Sequence, residues 1–162
     1  VNLLGSGTIL RESIAARKLL EADWGVAANV WSCPSFNELA RDGQDCERWN
    51  LLHPGEPPRI PYLTTVLADA PGVFVAASDY VKALPGSIDK WLPRPVHALG
   101  TDGFGRSESR ASLREFFEVD RRYVVLSALR ALSDEGVLPI AKATEAIKKY
   151  GIEADRRNPA TV

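Results

Sequence analysis

The stretch VNLLGSGTILRESIAARKLLEAD, residues 1–23, decides the fold of this chain. It begins with a short apolar run, turns through Gly5-Ser6-Gly7, and continues from about Thr8 to Asp23 with helical spacing. The apolar residues that share one face of this helix are Ile9, Ala16 and Leu20. A strand, a glycine turn and a helix in this order form the first half of a β-α-β unit.

The same alternation of apolar runs and helical segments continues along the chain. Further strands are predicted at residues 27–33, 73–77 and 96–99, and helices at 37–50, 61–67, 80–91, 115–117, 121–132 and from 139. Capping boxes are predicted at Ser35 with Glu38 and at Ser112 with Glu115, and Asp120 is a predicted cap. The strands are apolar on both faces, which indicates a largely parallel sheet covered by helices on both sides. The polar tail from Glu153 is predicted to be loose.

Composition narrows the class of protein. The chain has 162 residues, and 20 Lys and Arg balance 21 Asp and Glu to a formal net charge of −1. This balance argues against a dedicated nucleic-acid or membrane-surface binder, because both require an excess of basic residues. No apolar run reaches the length of a membrane span. Cys33 and Cys46 lack a CxxC pattern and are expected to be reduced thiols in a cytoplasmic protein.

The beginning of the chain suggests a fragment. The sequence contains no Met and starts with Val1 directly inside an apolar run. Translation starts with Met, and a native domain usually has a few polar residues before its first strand. We therefore expect residues 1–162 to form one domain of a larger chain.

Two glycine turns are candidate ligand sites. Gly5-Ser6-Gly7 could present backbone amides to an anion, but it lacks the third glycine of GxGxxG and the lysine of a P-loop. A tight turn that requires glycine is the favoured interpretation. The second turn, Gly100–Gly105, follows a predicted strand at the edge where open α/β sheets bind ligands.

The most suggestive polar cluster lies at this second turn. It comprises Asp102, Arg106 and Arg110, with Phe104 offered outward between two glycines and Ser107 as a further possible interface or anion contact. One interpretation is ligand binding. The favoured alternative is that Phe104 packs against a neighbouring domain while Asp102 pairs with Arg106.

The remaining reactive residues indicate no catalytic or metal site. His53 lies in a proline-rich loop, where a surface contact is expected, and His97 lies on a predicted strand. Neither histidine has an acidic or cysteine partner at metal-ligand spacing. Cys33 has no base nearby in the sequence that could make it a nucleophile. No catalytic, cofactor-binding or metal-binding residue is therefore assigned.

Four segments carry a resemblance to a known family. Leu3–Arg11, Phe36–Asn50, Leu52–Pro54 and Gly100–Ser107 resemble the C-terminal domain of homodimeric bacterial pyruvate dehydrogenases. The last segment is also similar to the Asp-x-Phe-Gly-x-Ser turn of transketolase C-terminal domains. The resemblance implies a three-layer α/β/α fold with a mostly parallel five-stranded sheet and one antiparallel strand. The missing fifth strand would lie near residues 123–126.

The resemblance also implies where the chemistry of the parent enzyme lies. In this family, thiamine diphosphate and magnesium bind between the two upstream domains of opposing subunits, and pyruvate is decarboxylated there. No motif for these sites is present here, so a role in packing the subunit and the dimer is expected. The implied partners are the upstream domains, the second subunit of a homodimer and the dihydrolipoyl acetyltransferase core, in the bacterial cytoplasm. The alternatives are a regulatory ligand-binding module and a docking domain for that core.

Overall fold

A four-stranded parallel sheet forms the centre of the structure, a computed structural model that describes residues 1–162. Its strands are β1 (Asn2–Gly5), β2 (Asn29–Ser32), β3 (Phe74–Ala77) and β4 (Val96–Leu99). Their order across the sheet is β2-β1-β3-β4, and every neighbouring pair is parallel. The first strand of the chain is therefore an inner strand, with β2 and β3 on its two sides.

Seven α-helices surround the sheet. They are α1 (Leu10–Trp24), α2 (Phe36–Leu52), α3 (Tyr62–Val66), α4 (Ala83–Gly86), α5 (Arg110–Phe116), α6 (Arg121–Asp134) and α7 (Ala141–Lys149). The helix predicted over residues 80–91 is broken into α4 and a 3-10 turn at Asp89–Trp91, because Pro85-Gly86 lies within it. None of these helices is both long and apolar enough to cross a lipid bilayer.

Two apolar layers cover the two faces of the sheet. On one face, Leu3 and Val75 pack against α1, α6 and α7. On the other face, Leu4 and Phe74 pack against α2 and α3 and against the segment after α4. Successive strand residues point to opposite faces, which explains why neighbours in β1 belong to different layers. The predicted three-layer α/β/α architecture is confirmed.

The fifth strand and the antiparallel strand implied by the resemblance are both wrong, since the sheet has four strands and all are parallel. Val124 and Val125 lie within α6 and are fully buried. The Asp120 Oδ1 atom accepts hydrogen bonds from the backbone amides of Arg122 (2.8 Å) and Tyr123 (3.3 Å), which starts the helix as predicted. This cap, together with packing against α1, outweighs the β propensity of the two valines.

The predicted capping box at Ser112 is also wrong. Helix α5 begins earlier, and the Ser109 Oγ atom accepts the bond from the Ser112 amide at 3.2 Å. Ser112 therefore occupies the third position of the helix rather than the cap. At α2 the predicted cap is confirmed, because the Ser35 Oγ atom accepts from the Glu38 amide at 3.2 Å.

The C-terminal tail is packed, although the sequence predicted a loose segment. Arg156 donates to the backbone oxygens of Glu115 (2.7 Å) and Phe116 at the end of α5. The last carbonyls of a helix lack partners within the helix, so a guanidinium group is well suited to them. Pro159 is buried, and its carbonyl oxygen lies only 2.5 Å from the place where a Cβ atom at Gly103 would stand. The tail is therefore held against α5 and the Gly100–Gly105 turn.

Candidate functional site

The carboxyl ends of the strands form the edge at which an open α/β sheet can bind a ligand. In the order β2-β1-β3-β4 the connections after β1 and β3 run to opposite sides, which opens a crevice between those two strands. A cleft of about 430 Å³ lies there, and we call it the carboxyl-edge cleft. Both glycine turns lie at this carboxyl edge of the sheet, as the sequence predicted.

Polar side chains line the carboxyl-edge cleft. The Thr8 hydroxyl donates to the Asp79 carboxylate at 3.3 Å, and the Thr101 hydroxyl donates to the Asp79 backbone oxygen at 3.0 Å. Asp79 is the only acidic side chain in the lining. The basic side chains of the lining are Arg106, Arg110 and Arg114.

The Gly5-Ser6-Gly7 turn makes a close backbone crossing at this edge. A Cβ atom at Gly5 would stand 2.7 Å from the Leu10 Cα atom, and Gly7 has a φ of +54°. The Ser6 amide donates to the Ala77 backbone oxygen at 3.2 Å, so it is already engaged by β3. The glycines permit the tight passage from β1 into α1, because any side chain at Gly5 would collide with that helix.

The first residues of the Gly100–Ser107 segment are held against the connection that follows β3. A Cβ atom at Gly100 would stand 2.4 Å from the Tyr80 backbone oxygen, and the Asp102 carboxylate accepts from the Lys82 amide at 2.9 Å. The predicted Asp102–Arg106 pair is wrong, since the Arg106 guanidinium stacks on the Phe116 ring at 4.4 Å. The short side chain of Asp102 reaches a nearby backbone amide instead.

The exposed tip of this segment carries the aromatic residue that the sequence singled out. Phe104 is 82% exposed, and it follows Gly103, where a Cβ atom would stand 2.5 Å from the Pro159 backbone oxygen. Arg106 and Ser107 are exposed next to it. The segment thus presents an apolar ring and polar side chains to the surroundings.

The cofactor pair implied by the resemblance, thiamine diphosphate with magnesium, requires a particular set of ligands. Magnesium with a diphosphate requires clustered oxygen ligands, usually carboxylates. No three His, Cys, Asp or Glu side chains of the chain lie close enough together to hold a metal ion. In the carboxyl-edge cleft, Asp79 is a single carboxylate with arginines around it. The residues of this chain do not fit a magnesium-diphosphate site.

Comparison with protein families identifies the fold family. Residues 1–120, about three quarters of the chain, match the family described as "Transketolase-like TK C-terminal domain". The chain belongs to the transketolase C-terminal domain family. This transketolase C-terminal domain has a layered α/β/α architecture, and its glycine turns lie at the carboxyl edge of the sheet.

Curated relatives of this transketolase C-terminal domain are bacterial. The pyruvate dehydrogenase E1 component of Cupriavidus necator is 54% identical over 162 residues, which are 100% of the chain and 18% of that protein. The E1 components of Pseudomonas aeruginosa and Escherichia coli are 54% and 51% identical over 160 residues, 98% of the chain and 18% of each relative. The predicted resemblance is confirmed, and the domain spans less than a fifth of the length of these relatives.

A solved structure supports the same fold. A chain described as "Split gene transketolase, inactive beta4 tetramer" superposes on this transketolase C-terminal domain with a TM-score of 0.56. The match covers 82% of this chain and 39% of that chain at 19% sequence identity. At this identity the likeness concerns the fold alone.

His53 lies at the end of α2 in this transketolase C-terminal domain, away from the carboxyl-edge cleft. Its Nδ1 atom is 2.8 Å from the Trp49 backbone oxygen, and its ring stacks on the Trp49 indole at 4.3 Å. The Arg59 guanidinium also lies over that indole, at 4.3 Å. His53 thus caps the helix and belongs to an aromatic and cationic cluster.

Neither cysteine of the transketolase C-terminal domain is disulfide-bonded. Cys33 is buried just after β2, and burial raises the pKa of its thiol to about 11. A nucleophilic cysteine requires the thiolate form near neutral pH. Cys33 therefore remains protonated under ordinary conditions.

A buried carboxylate escaped the sequence-based search. Glu12 on α1 is 3% exposed and accepts from Arg114 Nη1 at 2.8 Å and from Arg121 Nε at 2.9 Å. Burial would raise the pKa of the Glu12 carboxyl, but the hydrogen bonds and charges of Arg121 and Arg114 outweigh it and hold the pKa below its usual value. The sequence offers no signal for this cluster, because Glu12 lies more than a hundred residues from both arginines.

Proposed function

We propose that this chain is the C-terminal domain of a thiamine-diphosphate-dependent bacterial pyruvate dehydrogenase E1 component of the cytoplasm. The single observation that carries this proposal is the 54% identity over all 162 residues to the Cupriavidus necator protein. In this proposal, residues 1–162 are one domain of a larger homodimeric enzyme. That enzyme decarboxylates pyruvate and reductively acetylates the lipoyl group of the dihydrolipoyl acetyltransferase.

The proposed role of the domain itself is structural. Its buried thiol has a pKa of about 11, and its cleft holds one carboxylate among arginines. A protonated thiol is a poor nucleophile, and a single carboxylate among arginines is unsuited to holding magnesium. The domain then contributes packing against the upstream domains and support for the dimer, while the cofactor and the reacting atoms lie in those upstream domains.

Phe104 is the contact we propose for that packing. An aromatic side chain has few rotatable bonds and loses little conformational entropy when it is covered, and such residues anchor interfaces. Arg106 and Ser107 would form the polar surroundings of this contact. The glycines of Gly5-Ser6-Gly7 permit the tight turn into α1, and His53 caps the end of α2.

A domain exchange tests the proposal. The chain replaces the matching segment of the full-length Cupriavidus necator E1 component, and pyruvate decarboxylation is measured with thiamine diphosphate and magnesium. We expect the exchanged enzyme to retain most of the parental activity and the 162-residue chain alone to have none. Decarboxylation by the chain alone would contradict the structural role. A folded, dimeric but inactive exchange enzyme would contradict the assignment to this parent.

The Phe104 contact has a separate test in the same exchanged enzyme. Phe104→Ala should weaken dimerisation measured by analytical ultracentrifugation, or weaken activity at low protein concentration. The matched control is Val137→Ala, since Val137 is also exposed, at 62%. It follows α6, and its neighbour Leu138 packs near Val73, which directly precedes β3 and so lies at the opposite end of the strands from Phe104. Equal dimerisation and equal activity of the two variants would show that Phe104 does not contribute to the interface. A loss of cross-links to the acetyltransferase core with an intact dimer would assign Phe104 to docking instead.

A further inference from the structure

A second concave surface lies on the α1 side of the molecule, outside the carboxyl-edge cleft. It has a volume of about 620 Å³ and runs between α1, α5 and the start of α6. Its cationic lining consists of Arg11, Lys18, Arg110, Arg114 and Arg121, and we call it the arginine groove. This volume is in the range of small-molecule sites in proteins.

The charge of the arginine groove is opposite to that of the chain. Its five cations face one carboxylate, that of Glu12, which leaves four net positive charges. The whole chain has a formal net charge of −1. Clustering like charges is unfavourable unless a counter-charge is present, so this groove is complementary to an anion with several negative charges.

Three of the cations have no partner within the protein. The side chains of Arg11, Lys18 and Arg110 take part in no salt bridge or hydrogen bond, whereas Glu12 pairs with the other two. Their N–H groups are therefore free to bind a ligand. Arg110 and Arg114 also line the carboxyl-edge cleft, so the two concave surfaces meet at α5.

The other two cations are held in fixed positions. Glu12 lies at the floor and accepts from Nη1 of Arg114 and from Nε and Nη2 of Arg121, at distances between 2.8 and 3.3 Å. A guanidinium group has five N–H donors, so each arginine keeps donors that Glu12 does not use. Fixed guanidinium groups bind phosphate oxygens with little loss of side-chain entropy.

Part of the lining is apolar. Ile14 and Leu19 lie on the wall of the groove beside the cations, and Ile14 is 44% exposed. An inorganic ion alone would leave this wall in contact with water. We propose that the arginine groove binds a small organic molecule that carries two or more phosphate groups. The phosphates contact the arginines and Lys18, and the organic part contacts the apolar wall.

Calorimetry with inorganic pyrophosphate tests the anionic half of this site. The 162-residue chain is titrated at constant ionic strength, and one saturable site is expected. The double variant Lys18→Gln, Arg110→Gln should weaken binding about tenfold or more, because charge-assisted hydrogen bonds are lost. Both side chains lack partners in the protein, so the fold should be unaffected, and the single variant Arg11→Gln provides a second test.

Arg130→Gln is the matched control, since this exposed arginine on α6 pairs with Asp134 outside the groove. It should leave pyrophosphate binding unchanged. No saturable binding of pyrophosphate would overturn the proposal. Equal weakening by Arg130→Gln would do so as well, because the effect would then be one of general charge. Preference for a glutamate-rich peptide over pyrophosphate would show that the groove binds an acidic protein segment instead.

Discussion

Arg114 donates a hydrogen bond to the buried carboxylate of Glu12 over 2.8 Å, although 102 residues separate them in the chain. The same carboxylate accepts from the side chain and the backbone amide of Arg121, at 2.9 and 3.1 Å. One acidic side chain thus joins the first helix of the domain to α5 and α6. This cluster is important for stability because the carboxylate is almost inaccessible to water.

Glu12→Gln should destabilise the domain. The substitution removes the negative charge and leaves two guanidinium groups facing a neutral amide. Breaking a fully buried ion pair lowers the free energy of unfolding by roughly 3–5 kcal/mol. Because Arg121 is partly exposed, we expect a smaller loss of about 2 kcal/mol here. Urea denaturation followed by circular dichroism measures the change. Arg17→Gln on the same helix breaks an exposed pair with Glu21 and should change stability by less than about 0.5 kcal/mol.

The same cluster predicts a dependence of stability on pH. The pKa of Glu12 is lower in the folded domain than its ordinary value of 4.5, so the folded state favours the charged form. The stabilisation is then fully present above about pH 4.5 and is lost as the pH falls through the lower, folded-state pKa. Urea midpoints measured across the acidic range should fall more steeply for the wild type than for Glu12→Gln. Parallel curves for the two proteins would show that Glu12 does not contribute to the acid sensitivity.

Gly100→Ala should destabilise the domain, whereas Gly105→Ala should not. A Cβ atom at Gly100 would stand 2.4 Å from the Tyr80 oxygen and 2.6 Å from the Lys82 nitrogen, both in the backbone. Relieving such an overlap requires the strand end to move, at a cost of about 2 kcal/mol or more. At Gly105 no atom lies within 4 Å, so a change within about 0.5 kcal/mol is expected. Thermal unfolding of the two variants measures the difference, and equal melting temperatures would contradict the close approach.

Gly43→Ala separates helix propensity from packing. Gly43 lies inside α2, where alanine would ordinarily be favoured by about 1 kcal/mol. Here a Cβ atom would stand 2.3 Å from the indole ring of Trp91, which is anchored by its bond to Glu47. We expect a net loss of about 1–2 kcal/mol, because overpacking costs more than the propensity gain. Gln44→Ala, on the exposed neighbour, should be neutral or slightly stabilising in the same denaturation assay.

The two thiols should react at very different rates. The pKa of Cys33 is about 11, so roughly one thiol in a thousand is ionised at pH 8. Burial and the charge of Asp42 also raise the pKa of Cys46, but that residue is only half-buried. Maleimide labelling followed by mass spectrometry should modify Cys46 first and Cys33 only on unfolding. Cys46→Ser should abolish the early phase, and rapid labelling of that variant would contradict the assignment.

Local signals in the sequence were enough to predict the framework of the fold. The apolar run, the glycine turn and the face formed by Ile9, Ala16 and Leu20 all lie within one short stretch, and all three residues are buried together. Asp120 was predicted as a cap because a cap depends only on the residues that directly follow it. The location of both glycine turns at one edge of the sheet follows from parallel β-α-β topology.

Long-range contacts could not be predicted in the same way. Nothing near Glu12 in the sequence indicates that Arg114 and Arg121 will enclose it. The predicted partner of Asp102 was Arg106, and this prediction was wrong for a related reason. The Asp102 carboxylate instead accepts from the Lys82 amide, which lies on the connection after β3. The tail was predicted to be loose from its polarity, yet the Arg156 side chain donates to the Glu115 carbonyl at the end of α5. In each case the partner is determined by the folded arrangement of distant segments.

The inner position of β1 has a consequence for how the chain acquires its structure. Asn2 is paired with Asn29 on one side and with Phe74 on the other, so the first strand of this domain completes its pairing only when a much later strand has formed. Closing so long a loop has an entropic cost that local contacts do not offset, which slows folding. Until residues 74–77 are available for pairing, the apolar Leu3 and Leu4 therefore remain accessible to other chains, and aggregation of the domain can begin in that interval.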